Sequence, residues 1–393
     1  MEHINDYLMK NLDKSIKDKP LNEVDFSLLS QLSYVNFEDI VSSGSAKISF
    51  HDAYLKYKEL GRTGPHDELF TKVANSERYK NLKLSHFVVK ENPETLEQFG
   101  AYAVDTGLNH KAVFFRPTNG SLFAWKENFT VAFKESSITQ QDASEYFNKL
   151  ALQHPFQRFS LIGHSKGGNN AMYAGANANL FNQAKIKQII NFDGPGFNSR
   201  LNPGVTNPLL LDKITTYIPE GSVVGRLLDH KEKMVIVKGN DPHGVGQHDM
   251  NEWLVGEDGF ERAKETNYKS DIIDKKFKEV MAKHDEAFLQ DLINGLFDIL
   301  YNTGYTNLDD IIKNPKTLFN GYFRTDKKLR GVVRKVALSV LRDKKFMKAM
   351  FGKKRKDVEK TIATIATKDK PKDKKNNLEA VQSDDDCMQM SMN

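Results

Sequence analysis

Apolar positions follow two different rhythms along this chain. As far as about Phe260 they come in short runs: Lys111-Ala-Val-Phe-Phe-Arg116, Phe159-Ser-Leu-Ile162, Ile186-Lys-Gln-Ile-Ile-Asn-Phe192, Ile214-Thr-Thr-Tyr-Ile218 and Met234-Val-Ile-Val237. Each reads as a strand, and several are apolar on both faces, which suits parallel strands buried between helices. Helical stretches such as Asn169 to Leu180 lie between them. Strand and helix in alternation predict an α/β sheet with right-handed crossovers.

From about Glu261 the period becomes helical. Phe288, Leu289, Leu292, Ile293, Leu296, Phe297 and Leu300 recur three and four apart, as do Leu329, Val332, Val333, Val336, Ala337, Val340 and Leu341. Beyond Gly352 the chain is rich in Lys and Asp and poor in large apolar residues, a composition that predicts disorder. The expected division is a catalytic domain over 1–260, a helical appendage over 261–351 and a charged tail over 352–393.

Composition narrows the chemistry. The 393 residues include 25 Phe and 13 Tyr, ample for a buried core, but a single cysteine, Cys387 in the tail. Intrachain disulfides and cysteine-centred or metal-thiolate chemistry are therefore excluded as the main business. The opening MEHINDYLMKNLDKSIKDK has no apolar signal core, and no run reaches the roughly 18 apolar residues of a membrane span. The expectation is a cytoplasmic protein, or one exported without a classical signal peptide. The net charge of +5 is uneven: Gly321 to Lys360 holds 15 Lys or Arg against 4 Asp or Glu. Such a run points to an anionic partner surface or to a solvated helix face.

The sharpest motif is Phe159-Ser-Leu-Ile-Gly-His-Ser-Lys-Gly-Gly-Asn-Asn-Ala-Met-Tyr-Ala174. An apolar strand ends in G-x-S-x-G and passes directly into a small-residue helix, the context a nucleophile elbow requires. Ser165 is the expected nucleophile. A serine hydroxyl needs a base, and the base needs an orienting carboxylate. In this arrangement the chain order is nucleophile, acid, histidine. His243 and His248 both follow the strand ending at Val237; His248 is preferred and His243 is the fallback, while His230 in its charged run reads as a solvated loop residue. Asp193, at the end of the strand Ile186–Phe192 and before Gly-Pro-Gly, is the favoured acid, with Glu220 after the next strand as its rival. For an oxyanion hole, Lys166 supplies one backbone N–H and the loop Phe114-Phe-Arg-Pro-Thr-Asn-Gly120 the other, with Thr118 the best donor because Pro117 has none.

These motifs together resemble a bacterial lipase-like family, domain of unknown function 2974, related to the class 3 lipases. The resemblance is carried by Phe115-Arg-Pro-Thr118, Trp125-Lys-Glu-Asn-Phe129, Gly-His-Ser-Lys-Gly-Gly-Asn, Phe-Asp-Gly-Pro-Gly-Phe, Ser222-Val-Val-Gly225 and Gln247-His-Asp with Trp253. With the opening Asn22-Glu-Val-Asp it spans roughly residues 20 to 345. It implies an α/β-hydrolase fold acting on carboxylic esters, with Ser165 as nucleophile, His248 as base and Thr118 at the oxyanion position. Two departures stand out: Pro117 replaces the usual Gly, and the usual class 3 acid position holds Glu220-Gly-Ser222, which favours Asp193. Some members resemble lipase toxins exported by the type VII secretion system.

The expected protein is thus a serine carboxylic-ester hydrolase of lipase, phospholipase A or esterase type, with a lipid or other acyl-ester substrate and neither metal nor organic cofactor. The rival expectation is a catalytically silent hydrolase fold that binds a protein partner through its helical region. The basic amphipathic stretch Leu329 to Lys348 is a candidate for an anionic membrane surface, against the plainer reading of a bundle helix. It lacks the interleaved aromatics of a nucleic-acid site, so no nucleic-acid partner is expected.

Overall fold

The computed structural model describes residues 2–131, 133–199, 202, 204–240 and 245–351. In chain order its strands are β1 (Glu2–His3), β2 (Ile48–Ser49), β3 (Lys83–Asn92), β4 (Glu97–Gly107), β5 (His110–Phe115), β6 (Arg158–His164), β7 (Ile186–Phe192), β8 (Ile214–Pro219), β9 (Lys233–Val237) and β10 (Leu254–Val255). The central sheet has eight strands in the order β2-β3-β4-β5-β6-β7-β8-β9, while β1 and β10 form a small antiparallel pair. Strands β5 to β9 run parallel, and β2 to β5 pair antiparallel.

The doubly apolar strands divide their side chains between two cores. On β5, Ala112 and Phe114 enter one core and Val113 and Phe115 the other; on β6, Ile162 goes one way and Phe159 and Leu161 the other. This is the alternation of a pleated strand buried on both faces. One core is closed by Val24, Phe26, Leu28, Phe37, Phe50 and Phe70 from the N-terminal segments. The other is closed by Ala143, Phe147 and Leu150 of the helix Ile138–Gln153 and by Ala171 and Met172 of the helix Lys166–Ala176. Arg78 locks the N-terminal layer through a fully buried fork, with Nε and a terminal nitrogen each 2.7 Å from an Asp25 oxygen.

The five expected strands are present within a residue at either end, apart from a longer β6. The two longest strands, β3 and β4, are not among the expected ones, although β4 carries the buried apolar run Phe99-Gly-Ala-Tyr-Ala-Val104; in β3 the apolar residues are interrupted by Ser85 and His86. The expected helix from Asn169 starts earlier, at Lys166, directly after the serine.

After the sheet come the helices Tyr268–Lys283, Glu286–Tyr301, Leu308–Lys313, Thr317–Arg324, Lys327–Leu341 and Lys344–Phe351. Helix Glu286–Tyr301 packs on Lys327–Leu341, on Thr317–Arg324 and on the helix Leu122–Thr130 of the sheet domain. Phe297 meets Phe129 with ring centroids 5.9 Å apart. The basic stretch expected as one unit is two helices, broken after Leu341, and no residue of Lys327–Leu341 is fully buried. The charged tail lies outside the described residues.

Candidate functional site

Strand β6 delivers Ser165 onto a turn that few side chains tolerate. Its φ of 55° and ψ of −127° lie in a region L-residues rarely adopt, and the helix Lys166–Ala176 begins at the next residue. The turn is held by the Ser165 N–H, which donates to Phe192 O at 2.8 Å. Its tightness explains the flanking glycines. A Cβ on Gly163 would stand 2.1 Å from the Gly167 carbonyl carbon, and one on Gly167 would stand 2.2 Å from Phe115 O.

Three candidate residues converge here. Ser165 Oγ lies 3.0 Å from His248 Nε2, and His248 Nδ1 lies 2.7 Å from Asp193 Oδ2. Asp193 follows β7 directly, with a φ of 48°, and is wholly buried. Its second oxygen accepts from Ser222 Oγ at 2.5 Å and from the Gly225 N–H at 3.2 Å. A buried carboxylate needs such donors, and here they fix its orientation as well. His248 sits on the short 3-10 turn Val245–His248. Trp253 Nε1 donates to Gln247 O at 2.7 Å, and Gln247 Oε1 accepts the Gly221 N–H at 2.7 Å, tying this turn to the end of β8.

His164, the last residue of β6, supports the site from below. Its Nε2 donates to His248 O at 2.8 Å, and the two rings stand 4.6 Å apart. Burial, with the adjacent His248, holds the His164 imidazole down at about 3, so it stays neutral near pH 7 and donates as a neutral ring.

The remaining candidates are placed as follows. Lys166 is the first residue of the helix after Ser165. Thr118 follows β5; its Oγ1 accepts from Asn128 Nδ2 at 2.6 Å and its carbonyl from Tyr34 OH at 3.2 Å. Glu220 follows β8, but among the described residues its carboxylate makes no bond to His248, whose partner is Asp193. His243 lies outside the described residues. His230 is not a solvated loop residue: its side chain is 5% exposed and Nδ1 lies 2.6 Å from Glu232 Oε1. The charged run around it misled, because Glu232 folds inward with it.

Sequence reasoning missed the Lys166 side chain. Its Nζ donates to Gln98 O and Oε1, both at 2.7 Å, and to Glu127 Oε2 at 3.0 Å, all buried. It also missed Ser222, Asn128 and His164. Glu127 and Asn128 lie inside the W-K-E-N-F segment, which was legible as a motif but gave no sign of its target. Beside Ser165 opens a cavity of about 200 Å³, walled by Trp125, Phe129, Val223, Val224, Leu227 and Phe277.

A mostly parallel sheet between helical layers, with a serine on a strained strand-to-helix turn at the C-terminal end of a central strand, defines an α/β-hydrolase-like protein. The Mbeg1-like family model matches residues 73–298, more than half of the chain, and the chain belongs to this lipase-like family. No curated protein matches it in sequence. Among solved structures it is similar to a triacylglycerol lipase described as having a serine protease triad as its catalytic centre, with 13% identity, a TM-score of 0.33, and 55% of this chain and 79% of that chain covered. The lipase of Rhizopus microsporus var. chinensis gives 15% identity and a TM-score of 0.30, covering 48% of this chain and 70% of that one. The Rhizomucor miehei lipase propeptide complex gives 12% and 0.31, covering 56% and 69%. The fold assignment rests on the strand order and the Ser165 turn.

Proposed function

We propose that this protein is a serine carboxylic-ester hydrolase of lipase type, working through an acyl-enzyme. One observation carries the reading: Ser165, on a strained turn, stands 3.0 Å from a histidine that is itself 2.7 Å from a fully buried aspartate. His248 Nε2 takes the Ser165 proton as Oγ attacks the ester carbonyl, and Asp193 stabilises the imidazolium and fixes its tautomer. The Lys166 and Thr118 backbone N–H groups receive the oxyanion. His248 returns the proton to the leaving alcohol, then activates water to release the acid. Membership of a lipase-like family and the apolar walls of the cavity beside Ser165 support an acyl ester with an apolar chain as substrate.

The test is fluorophosphonate labelling of the wild type and of Ser165→Ala, read by intact mass beside a p-nitrophenyl ester series. The expected result is one adduct on the wild type, none on the variant, and turnover lowered by about 10⁴-fold or more. A folded wild type that takes no label and turns over no ester would reject the reading in favour of a silent interaction fold.

A further inference from the structure

Next to the serine lies an ion pair for which the ester chemistry has no direct use. The Lys166 and Glu127 side chains are 6% and 3% exposed. The ammonium spends its three donors on Gln98 O, Gln98 Oε1 and Glu127 Oε2. The carboxylate spends its other oxygen on Thr139 Oγ1, 2.5 Å away. Each partner belongs to a different part of the site. Lys166 is the first residue of the elbow helix, Gln98 lies in β4, and Glu127 lies in the helix Leu122–Thr130. That last helix also carries Asn128, which holds Thr118 by its hydroxyl, and Trp125 and Phe129, which wall the cavity.

Stability is a weak reason for such a pair. Desolvating two charges offsets most of their attraction, and a well-packed apolar pair of similar volume is often as stable or more so. Burial lowers the Lys166 pKa while Glu127 opposes the shift. A geometric role accounts for the arrangement better. The side chain of Lys166 fixes the residue whose own N–H is one oxyanion donor, and through Glu127 and Asn128 it fixes the helix that holds the other.

We propose that Lys166 and Glu127 are positioning residues that hold the two halves of the oxyanion hole in register across the Ser165 elbow. The proposal rests on the serine-hydrolase reading. The experiment uses the full chain and compares wild type, Lys166→Met, Glu127→Gln and the double variant Lys166→Met/Glu127→Leu. For each it measures Tm, kcat and KM on one p-nitrophenyl ester, and the inhibition constant of an alkyl boronic acid as transition-state mimic. Lys166→Met is expected to lower kcat about 100-fold or more, the size of losing one oxyanion donor, with KM within about threefold. Boronate affinity should fall in step with kcat/KM. Glu127→Gln, which retains an acceptor, should show the same kcat-dominated loss to a smaller degree. The double variant should regain the wild-type Tm, because no charge is left buried alone, while kcat stays low. Recovery of kcat together with Tm in the double variant would overturn the proposal and leave the pair a packing element; so would wild-type kcat in Lys166→Met. Should Lys166→Met fail to fold, Glu127→Gln and the double variant decide the matter by the same split. Failure of the underlying reading is separable, since the wild type itself would then neither label nor turn over.

Discussion

At the scale of single residues, the site separates two carboxylates that the sequence left in competition. Both Asp193 and Glu220 directly follow parallel strands, but Asp193 is the one wholly buried, where Ser222 and Gly225 orient it toward His248. Asp193→Asn is therefore expected to keep the fold and lower kcat by about 10⁴-fold, since the amide stabilises the wrong imidazole tautomer. Glu220→Gln should stay within about threefold of wild type. A steady-state comparison of the two on one ester decides the assignment, and equal losses would return Glu220 to consideration. The same scale shows why side-chain roles outrun sequence motifs. Lys166 was legible as a backbone donor from its place after the serine, but nothing in Gly-His-Ser-Lys-Gly tells that its ammonium reaches Gln98, 68 residues away.

At the scale of elements, strands β3, β5 and β6 each carry a histidine that burial keeps from taking up a proton. His164 is held at about 3, and His86 and His110 at about 4, chiefly by burial. In the unfolded chain each titrates near 6.5. Between those values the unfolded state binds more protons than the folded one, so stability rises with pH across the window. The contribution is fully present above about 6.5 and is lost as pH falls toward the folded values. Urea midpoints are accordingly expected to drop between pH 7 and pH 4. His164→Gln, which keeps an N–H for His248 O, should flatten part of that slope; an unchanged slope would remove His164 from the linkage. At this scale the sequence was legible where the chemistry is periodic. The five parallel strands and the elbow follow from apolar runs and small residues; β3 breaks its apolar residues with Ser85 and His86, and the apolar run at residues 99–104 of β4 was a signal left unused.

At the scale of the whole molecule, the helices after the sheet take part in the pocket. Phe277, on the helix Tyr268–Lys283, walls the 200 Å³ cavity beside Ser165 and, together with Leu228, also walls a neighbouring cavity of about 640 Å³. Phe277→Ala is expected to join the two spaces. The expected outcome is a shift toward longer acyl chains, with the ratio of kcat/KM for a long over a short p-nitrophenyl ester rising about tenfold or more, a pocket effect of one to three kcal/mol. A uniform loss at every chain length would show that the helix only supports the wall.

What the sequence determined by itself is what local chemistry dictates. Strand-forming apolar runs and the glycines that the turn at Ser165 demands are written in neighbouring residues. The pairing of Asp193 rather than Glu220 with His248, the inward turn of His230, the ion pair of Lys166 with Glu127 and the reach of Phe277 into the pocket were decided only by the tertiary structure. Each depends on which buried polar or apolar surface finds a partner once the chain is folded, because a buried polar group must be paired wherever the fold places it.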